Sequence, residues 1–339
     1  MQITRVGGTE ESPLMQATLE DGEVRLQLLN LGATTQGWWV PCGGGVVPVV
    51  LGYEAAGAYL SDDACLGAIV GRVANRTSGG RLVIGDDVFQ LSQNEGQTHL
   101  HGGHRGLSRQ IWQMEADSAA NAIRFTYHSA DGEEGYPGTV VFTVTVTLKG
   151  ARVHYDMAAV ADRPTPVNLA QHNYYNLMGG GEIWGHRLTC IADRRTPVDG
   201  RGLPTGEILP VAGSRYDFRD LTALGAMDPG REGSDINLVF PAARDPGAPV
   251  AQLLAPNGLH LRMWSDQPGA QLYTAKHLTA RPGGWSDKSL WPFHGICIEP
   301  QAPPDALNQP GFPSILIDPE HPYHQSLSVD ISEAPTCAG

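Results

Sequence analysis

Hydrophobic and polar residues alternate most regularly in residues 140–149, whose sequence is VVFTVTVTLK. Each of the three threonines in this run is flanked by apolar residues. A period of two predicts a half-buried β-strand, because successive side chains of a strand point to opposite faces. Residues 122–128 and 153–160 show related patterns, with a turn at Gly150 before the second. We therefore predict an antiparallel meander of three strands.

Short strand-like runs recur along most of the chain, separated by turns rich in glycine and proline. They comprise residues 24–40 with a bend at Gly32, 46–53 with Pro48 at an edge or bulge, 83–91 with a turn at Gly85-Asp86, 187–191, 236–240, 251–254, 259–264, 270–275 and 326–331. Only residues 221–227 predict a helix. Many short strands with almost no helical period predict an all-β fold, a large antiparallel β-sandwich. No linker or internal repeat is recognisable, so we expect a single domain over residues 1–339.

The composition supports a turn-rich protein and narrows the range of partners. The chain has 42 glycines and 25 prolines, and its 23 basic and 36 acidic residues give a net charge of −13. So much glycine and proline indicates many turns and few long helices. The negative charge argues against nucleic acid or an anionic membrane as a partner, because both carry negative charge themselves.

The cysteines and the N-terminus indicate the compartment. The five cysteines are odd in number, widely spaced and never in a C-x-x-C pair: Cys42, Cys65, Cys190, Cys297 and Cys337. We interpret them as reduced thiols rather than disulfides or zinc ligands. The N-terminus lacks a signal pattern, and no apolar run approaches the ~18 residues that a membrane helix needs. We therefore expect a cytoplasmic protein with no membrane partner.

Residues 295–313, GICIEPQAPPDALNQPGFP, predict a strand that ends in a series of turns. Alternation places Ile296 and Ile298 on one face of the strand and Cys297 and Glu299 on the other. The prolines that follow fix the backbone and remove hydrogen-bond donors, so this loop is rigid. A carboxylate at the end of an apolar strand is costly unless it is used. Glu299 is therefore either a functional acid group or an edge-strand side chain in water.

Residues 65–81 set polar side chains among apolar residues and glycines. Arg72, Asn75 and Arg76 together offer several donors and an acceptor, which suits a hydroxyl-rich ligand. The alternative is a pair of surface arginines that hold a loop. Further on, His99 and His101 are expected on one strand face. No third ligand stands at a recognisable spacing, so we expect no metal site, and the glycines after His101 favour a close approach of a ligand.

Residues 165–181, TPVNLAQHNYYNLMGGG, are the second concentration of polar side chains. Asparagine, glutamine, histidine and tyrosine crowd a short run with an apolar frame around His172. This density of hydrogen-bonding groups is typical of a buried polar site. The alternative is a core histidine that neighbouring asparagine or tyrosine side chains satisfy.

Five motifs, in this order, resemble the aldose 1-epimerase family, also called the galactose mutarotase family. They are GRVANR at residues 71–76, HLHGG at 99–103, DGEEGYPG at 131–138, PVNLAQHNYYNLMG at 166–179 and IEPQAPPDALNQPGFP at 298–313. The resemblance spans nearly the whole chain. It implies a galactose mutarotase-like β-supersandwich and an isomerase that interconverts the α and β anomers of a free hexose, without metal or other cofactor.

The resemblance also implies roles for individual residues. His172 matches the family's general acid and Glu299 its general base. The positions that contact the sugar match Asn75, Arg76, His101, Asp235 and Gln271. The implied partner is a small monosaccharide, and we expect a monomer or a homodimer. A base at the C1 hydroxyl and an acid at the ring oxygen suffice to open a pyranose ring.

Several positions depart from the family pattern and leave the preferred sugar open. Gln171 and Asn173 flank the histidine where Asn and Ser are usual, and Pro300 replaces a threonine after the glutamate. Lys276 and His277 belong to a stretch that replaces Gly-Asn-Phe. If the strand continues past Gln271, alternation places His277 on the cavity side and Lys276 on the other.

Three other functions are consistent with parts of the sequence. The first is an epimerase for another sugar, such as a pentose or a phosphorylated hexose. A phosphate-specific site would need further cations, for which Lys276, Arg187 and Arg231 are the candidates. A non-catalytic carbohydrate-binding protein on the same fold is the second, because fold does not determine function. A glycosidase with two carboxylates is the weakest, because only one carboxylate stands beside a histidine.

Overall fold

The alternating run at residues 140–149 forms a strand with one fully buried face in the computed structural model. The five side chains of the buried face are at most 1% exposed: Val140, Phe142, Val144, Val146 and Leu148. Val141 and the three threonines point to the other face and are half-buried. Antiparallel strands at residues 122–129 and 152–161 flank it on both sides. The predicted meander is confirmed.

The structure describes residues 1–334, so Cys337 lies outside it. The strands in the first half of the chain are β1 (Gln2–Gly8), β2 (Pro13–Asp21), β3 (Val24–Leu29), β4 (Thr34–Cys42), β5 (Gly45–Pro48), β6 (Ile69–Val70), β7 (Arg76–Thr77), β8 (Arg81–Ile84), β9 (Asp87–Gln90), β10 (His99–Leu100), β11 (Gln113–Asp117), β12 (Ala122–Ser129), β13 (Val140–Lys149) and β14 (Arg152–Ala161).

The strands in the second half are β15 (Thr165–Pro166), β16 (Ala170–Gln171), β17 (Arg187–Cys190), β18 (Arg194–Thr196), β19 (Leu209–Pro210), β20 (Thr222–Ala223), β21 (Asp235–Val239), β22 (Ala251–Leu254), β23 (Leu259–Ser265), β24 (Gly269–Tyr273), β25 (Cys297–Gln301), β26 (Leu316–Ile317) and β27 (Tyr323–Glu333). Helix α1 spans Leu224–Met227, and short 3-10 turns lie at Ala56–Ser61, Ser78–Gly80, Leu107–Arg109, Glu133–Gly135, Ile183–Gly185 and Trp285–Asp287. In the described part of the chain, no helix is long and apolar enough to cross a membrane.

Three large antiparallel sheets build the sandwich. The first has the order β1-β2-β3-β4-β5, the second β11-β12-β13-β14-β27-β23-β22-β17-β20, and the third β19-β18-β21-β24-β25. All three contribute to one buried apolar cluster, through residues such as Trp38, Phe142 and Leu272. The all-β antiparallel sandwich is thus confirmed. Its third sheet ends at β25, which carries Glu299 on an edge strand.

Some strand predictions were wrong in extent. The strand predicted at residues 46–53 ends at Pro48, where the ring removes a backbone donor. Strands β1, β2 and β11 were not predicted, because exposed and partly exposed residues predominate in each and blur the period of two. The hairpin β8–β9 has its turn at Gly85-Asp86 as expected.

His186 is a core histidine whose hydrogen bonds specify a neutral ring. Its Nε2 accepts from the backbone N–H of Leu177 at 3.1 Å, and its Nδ1 lies 3.1 Å from the carbonyl of Ile183, to which it donates. The residue is 0% exposed. Burial lowers the pKa of His186 to about 4.

We expect the free energy of unfolding to fall as the pH is lowered from about 6.5, the pKa of a histidine in the unfolded chain, towards about 4, the pKa of His186 in the folded chain. In that range the unfolded chain binds a proton at His186 and the folded chain does not, so protonation favours unfolding. Urea denaturation at several pH values measures this slope. A His186→Leu variant should be less stable at neutral pH but show a shallower slope, and an equal slope in both proteins would contradict the assignment.

Candidate active site

Strands β24 and β25 place Glu299 in the wall of a cavity of about 400 Å³. Gln271 lies opposite Glu299 in the ladder, and Tyr273 lies opposite Cys297. Opposite residues of antiparallel strands share a face, so these four side chains lie on one side of the sheet. Ile298 is buried on the other side, in the core. Because Glu299 is only 2% exposed, the alternative of an edge-strand side chain in water is wrong.

His172 lies beside Glu299 in the same cavity. The two side chains approach to 3.7 Å between His172 Nε2 and Glu299 Oε2. The backbone N–H of His172 donates to Ala68 and its carbonyl accepts from Gly67, at 2.9 and 3.0 Å. Its ring stacks on Tyr174, with centroids 5.0 Å apart and planes 27° apart. These contacts hold the imidazole in place before any ligand arrives.

His101 is a hydrogen-bond donor with a specified tautomer. The backbone N–H of Asn75 donates to His101 Nδ1 at 3.1 Å, and the backbone N–H of His101 donates to the carbonyl of Asn75 at 3.0 Å. Burial, with a smaller effect from neighbouring His172, holds the pKa of His101 well below its usual value. A neutral ring that accepts at Nδ1 carries its proton on Nε2. His101 lines the cavity and can donate there.

His99 and His101 do not share a strand face, which corrects the prediction from sequence. Strand β10 ends at Leu100, and His101 has a φ of 50°, which turns its side chain out of the alternation. His99 is 0% exposed, with Nε2 2.6 Å from the hydroxyl of Tyr136 and Nδ1 2.7 Å from the carbonyl of Ser92. His99 therefore has a structural role, and only His101 reaches the cavity.

Arg76 is held between two carboxylates. Its Nε and Nη2 donate to both oxygens of Glu95, at 2.7 and 2.9 Å, and its Nη1 lies 3.4 Å from Asp235 Oδ2. Asp235 Oδ1 accepts from Gln271 Nε2 at 2.6 Å. All four residues line the cavity. They form a continuous polar wall whose donors and acceptors are already oriented.

Burial shifts the His172–Glu299 pair towards its neutral form in the empty cavity. Burial lowers the pKa of His172 to about 4, against a smaller upward effect of the Asp235 charge. Burial also raises the pKa of Glu299 well above its usual value, and the Asp235 charge adds to that rise. Both shifts have the same physical cause, because a charge is less stable away from water. Near neutral pH an unperturbed glutamate is ionised and an unperturbed histidine is partly protonated, so burial opposes the states that these residue types adopt in water.

All seven predicted site residues line this one cavity, although they come from distant parts of the chain. They are Asn75, Arg76, His101, His172, Asp235, Gln271 and Glu299. Arg72, a further candidate, is buried elsewhere and donates to Ser129, Ala130 and Pro137. Arg72 thus holds a loop, as the alternative has it, but from a buried position and not from the surface. Their shared cavity makes the seven residues candidates for catalysis and binding, and their individual roles stay predictions.

Comparisons with known proteins show the family to which the chain belongs. The sequence model described as aldose 1-epimerase matches residues 15–330. A galactose mutarotase from Rattus norvegicus is 38% identical over 291 residues, 84% of each chain. The one from Homo sapiens is 36% identical over 334 residues, 97% of this chain and 96% of that protein. The crystal structure of an aldose epimerase homologue from C. elegans superposes with a TM-score of 0.89 at 26% identity, covering 95% of this chain and 99% of that one.

The chain belongs to the aldose 1-epimerase family. The family assignment confirms the resemblance found in five motifs and the carbohydrate isomerase class. Aldose 1-epimerases act on sugars, and the polar wall of the cavity is suited to hydroxyl groups, so the cavity is the candidate active site. The departures from the family pattern can now be located.

Two departures from the aldose 1-epimerase pattern lie behind His172, outside the cavity lining. Gln171 donates to the carbonyl of Gly67 at 3.1 Å and accepts from the N–H of Asn173 at 3.0 Å. Asn173 Nδ2 lies 3.3 Å from the hydroxyls of Tyr155 and Tyr175. Both side chains support the segment that carries His172 from the core side, so they do not change the residues that line the cavity.

The departures after β24 fall at the edge of the cavity. The strand ends at Tyr273 and Ala275 has a φ of 51°, so the condition for alternation to reach His277 is not met. His277 nevertheless lines the cavity, because its ring stacks on Tyr273 with centroids 6.4 Å apart. Lys276 is not among the described residues that line it.

Sequence reasoning missed Glu95, Tyr273 and Arg281 in the cavity wall. Arg281 donates to Asp62 Oδ1 at 3.2 Å and also pairs with Asp63, which joins the segment after β24 to the loop before β6. No local motif marks these residues, because their partners are distant in sequence. Only for Tyr273 was a signal present, since it follows Gln271 by two residues on the same strand.

We expect Glu95→Ala to raise KM by about tenfold with little change in kcat. The substitution removes two hydrogen bonds that orient Arg76, and hydrogen bonds to charged groups contribute about 1.5–3 kcal/mol, while about 1.4 kcal/mol corresponds to a factor of ten. We choose the lower end because the Glu95 side chain is 39% exposed. Polarimetric kinetics measure both constants. The matched control is Glu115→Ala on the exposed strand β11, and an equal KM in both variants would contradict the prediction.

Proposed function

We propose that this aldose 1-epimerase interconverts the α and β anomers of a free hexose such as galactose or glucose, with His172 as general acid and Glu299 as general base. One observation carries the proposal. His172 Nε2 and Glu299 Oε2 lie 3.7 Å apart in a single sugar-sized cavity. The C1 hydroxyl and the ring oxygen of a pyranose are bonded to the same carbon. An acid and a base that act on them must therefore lie within a few ångströms of each other.

The other five candidates would anchor the hydroxyl groups of the sugar. Asn75 and His101 are fixed to each other, because the backbone N–H of Asn75 donates to the His101 ring and the backbone N–H of His101 donates to the Asn75 carbonyl. Arg76, Asp235 and Gln271 are fixed through their side chains. Because these groups are oriented before binding, little freedom is lost when the sugar binds. A sugar held in one orientation keeps its reacting oxygens next to the acid and the base.

Ring opening transfers two protons and breaks one bond. Glu299 takes the proton of the C1 hydroxyl while His172 gives a proton to the ring oxygen, the bond between C1 and the ring oxygen breaks, and C1 becomes a carbonyl. Rotation about the C1–C2 bond then exposes the other carbonyl face. Closure reverses each proton transfer and yields the other anomer. The reaction only transfers protons and opens and closes one ring bond, so its chemistry requires no cofactor.

The burial of the pair affects the energy of this proton transfer, because the starting form, with Glu299 ionised and His172 protonated, is the form that burial disfavours. In the ring-opened state Glu299 is protonated and His172 is neutral, which is the form that burial favours for both groups. Desolvation therefore raises the energy of the ionised starting pair relative to the open-chain state. Positioned general acid–base catalysis is worth roughly 10² to 10⁴ in rate.

The charges around the cavity favour a neutral sugar over a phosphorylated one. Arg76 is paired with Glu95 and Asp235, and Arg281 with two further carboxylates. A phosphate would meet no uncompensated arginine there. The three cations considered for a phosphate are not among the described residues that line the cavity: Lys276, Arg187 and Arg231.

We also infer a cytoplasmic location and a monomer or homodimer. The four cysteines in the described part of the chain are free, as expected in a reducing compartment. The oligomeric state would be measured by sedimentation of the purified protein.

We expect the protein to accelerate the change in optical rotation of fresh α-galactose and α-glucose, after correction for buffer catalysis. Arabinose and glucose 6-phosphate, measured in the same way, test the pentose and the phosphorylated hexose. The proposal predicts that glucose 6-phosphate is the poorer substrate of the two glucose forms. Sugar binding without accelerated rotation would instead support a non-catalytic carbohydrate-binding protein.

Removal of either member of the pair should lower kcat far more than it changes KM. Glu299→Gln keeps the shape and removes the basic oxygen, and His172→Ala removes the proton donor. For each variant we expect a loss of about 10² to 10⁴ in kcat, the usual value of one acid–base group. Polarimetric kinetics give both constants, and thermal melting verifies the fold.

The matched control for the histidine is His128→Ala on the exposed side of β12. A near-normal rate for Glu299→Gln would exclude Glu299 as the base. A change confined to KM for His172→Ala would reduce that residue to a sugar-binding role.

A further inference from the structure

Three buried side chains with different donor atoms converge at the wall of the cavity, where His172 and Glu299 line it and Cys297 contacts His172. His172 Nδ1 lies 3.7 Å from Cys297 Sγ, and His172 Nε2 lies 3.7 Å from Glu299 Oε2. One donor atom from each residue can be chosen so that all three lie within 4.8 Å of one another. Cys297 has no part in the proton transfers described above, yet its sulfur contacts the proposed acid.

We propose that His172, Cys297 and Glu299 form a binding site for a divalent metal ion of the zinc type, and that an ion bound there blocks the enzyme. The inhibition, though not the binding, rests on the proposed function. Imidazole nitrogen, thiolate sulfur and carboxylate oxygen are the donors that Zn²⁺ takes in proteins. Harder ions such as Mg²⁺ and Ca²⁺ prefer oxygen ligands, so the sulfur selects against them.

The distances are close to those of a tetrahedral site. Bonds of ~2.3 Å to sulfur and ~2.0–2.2 Å to nitrogen and oxygen place tetrahedral donors about 3.3–3.6 Å apart. A single ion takes one nitrogen of His172, whereas the two separations of 3.7 Å start from different nitrogens, Nδ1 towards Cys297 and Nε2 towards Glu299. With one donor atom from each residue, all three lie within 4.8 Å of one another, so side-chain shifts of about 1 Å bring them to the spacing of a tetrahedral site. With three protein ligands, the fourth position of the ion remains open to the cavity. This is the arrangement of an accessible site rather than a closed structural one.

The surroundings favour a cation. The carboxylate of Asp235 acts electrostatically on all three residues of the cluster. The other titratable or charged groups that face the cluster from neighbouring elements are Cys65, Arg76, His101, Tyr174 and Tyr273. Of these only Arg76 is a permanent cation, and its guanidinium is paired with Glu95 and Asp235.

An ion at this site would remove both groups of the proton-transfer pair at once. Binding replaces the thiol proton of Cys297 and the carboxyl proton of Glu299 by the metal ion and releases both protons to solvent. A nitrogen of His172 is then used as a ligand, so neither an acid nor a base remains for the sugar. His172 and Cys297 are 125 residues apart in sequence, which explains why no spacing motif predicted a metal site.

Cobalt(II) tests the binding without reference to activity, because a cobalt–thiolate bond gives a charge-transfer band in the near ultraviolet. We expect this band when Co²⁺ is added to the wild-type protein, and its loss in Cys297→Ser. The band should persist in Cys65→Ser, which removes a thiol that lines the cavity, and in Cys42→Ser, which removes a thiol far from it. Cys297→Ala replaces Cys297→Ser if thermal melting shows that the serine variant is unfolded.

Zn²⁺ tests the inhibition by polarimetry. We expect Zn²⁺ to slow the wild-type reaction, EDTA to restore it, and Cys297→Ser to need at least tenfold more Zn²⁺ for the same fractional inhibition. The site is disproved if the wild-type protein gives no cobalt–thiolate band. It is also disproved if the band disappears in Cys65→Ser and persists in Cys297→Ser. A protein that binds cobalt through Cys297 but accelerates no sugar would refute the proposed function and leave the metal site in place.

Discussion

The pairing of β24 with β25 is the constraint on which the site depends. It places Glu299 opposite Gln271, with both side chains on the cavity side of the sheet, and buries Ile298 in the core. A shift by one residue would exchange these faces, and would move a carboxylate into the core and an isoleucine into the cavity. The hydrophobic pattern of a short edge strand thus selects the position of the proposed base.

The second constraint is electrostatic. Charges in the cavity wall come in compensated sets, such as Arg76 between Glu95 and Asp235. The pair formed by His172 and Glu299 is different, because burial favours the neutral form of each group. The fold therefore supplies a rigid, balanced wall for hydroxyl groups beside one pair whose protons are easily exchanged. That combination is suited to a reaction in which nothing but protons and a ring bond change.

Much of this could be predicted from sequence, because the relevant signals are local. Alternation identified β13 and its neighbours, and the polar clusters around His172 and Glu299 marked the site. Glu95 could not be predicted, because its role arises from a contact with Arg76 across a turn-rich segment. The strand face that His99 and His101 were expected to share was wrong, because a residue with positive φ leaves the strand alternation. The shifted pKa values likewise depend on burial, which a sequence does not display.

Pro300 has a consequence for how the outer edge of β25 is covered. It lies within the edge strand of its sheet, it has no N–H, and its carbonyl accepts from the Gln325 side chain at 2.8 Å. All five residues of β25 are buried, so this edge is covered from within the protein and is not a template for another polypeptide. The threonine that is usual beside the glutamate would bring a backbone N–H that needs a partner under this cover, whereas proline brings none.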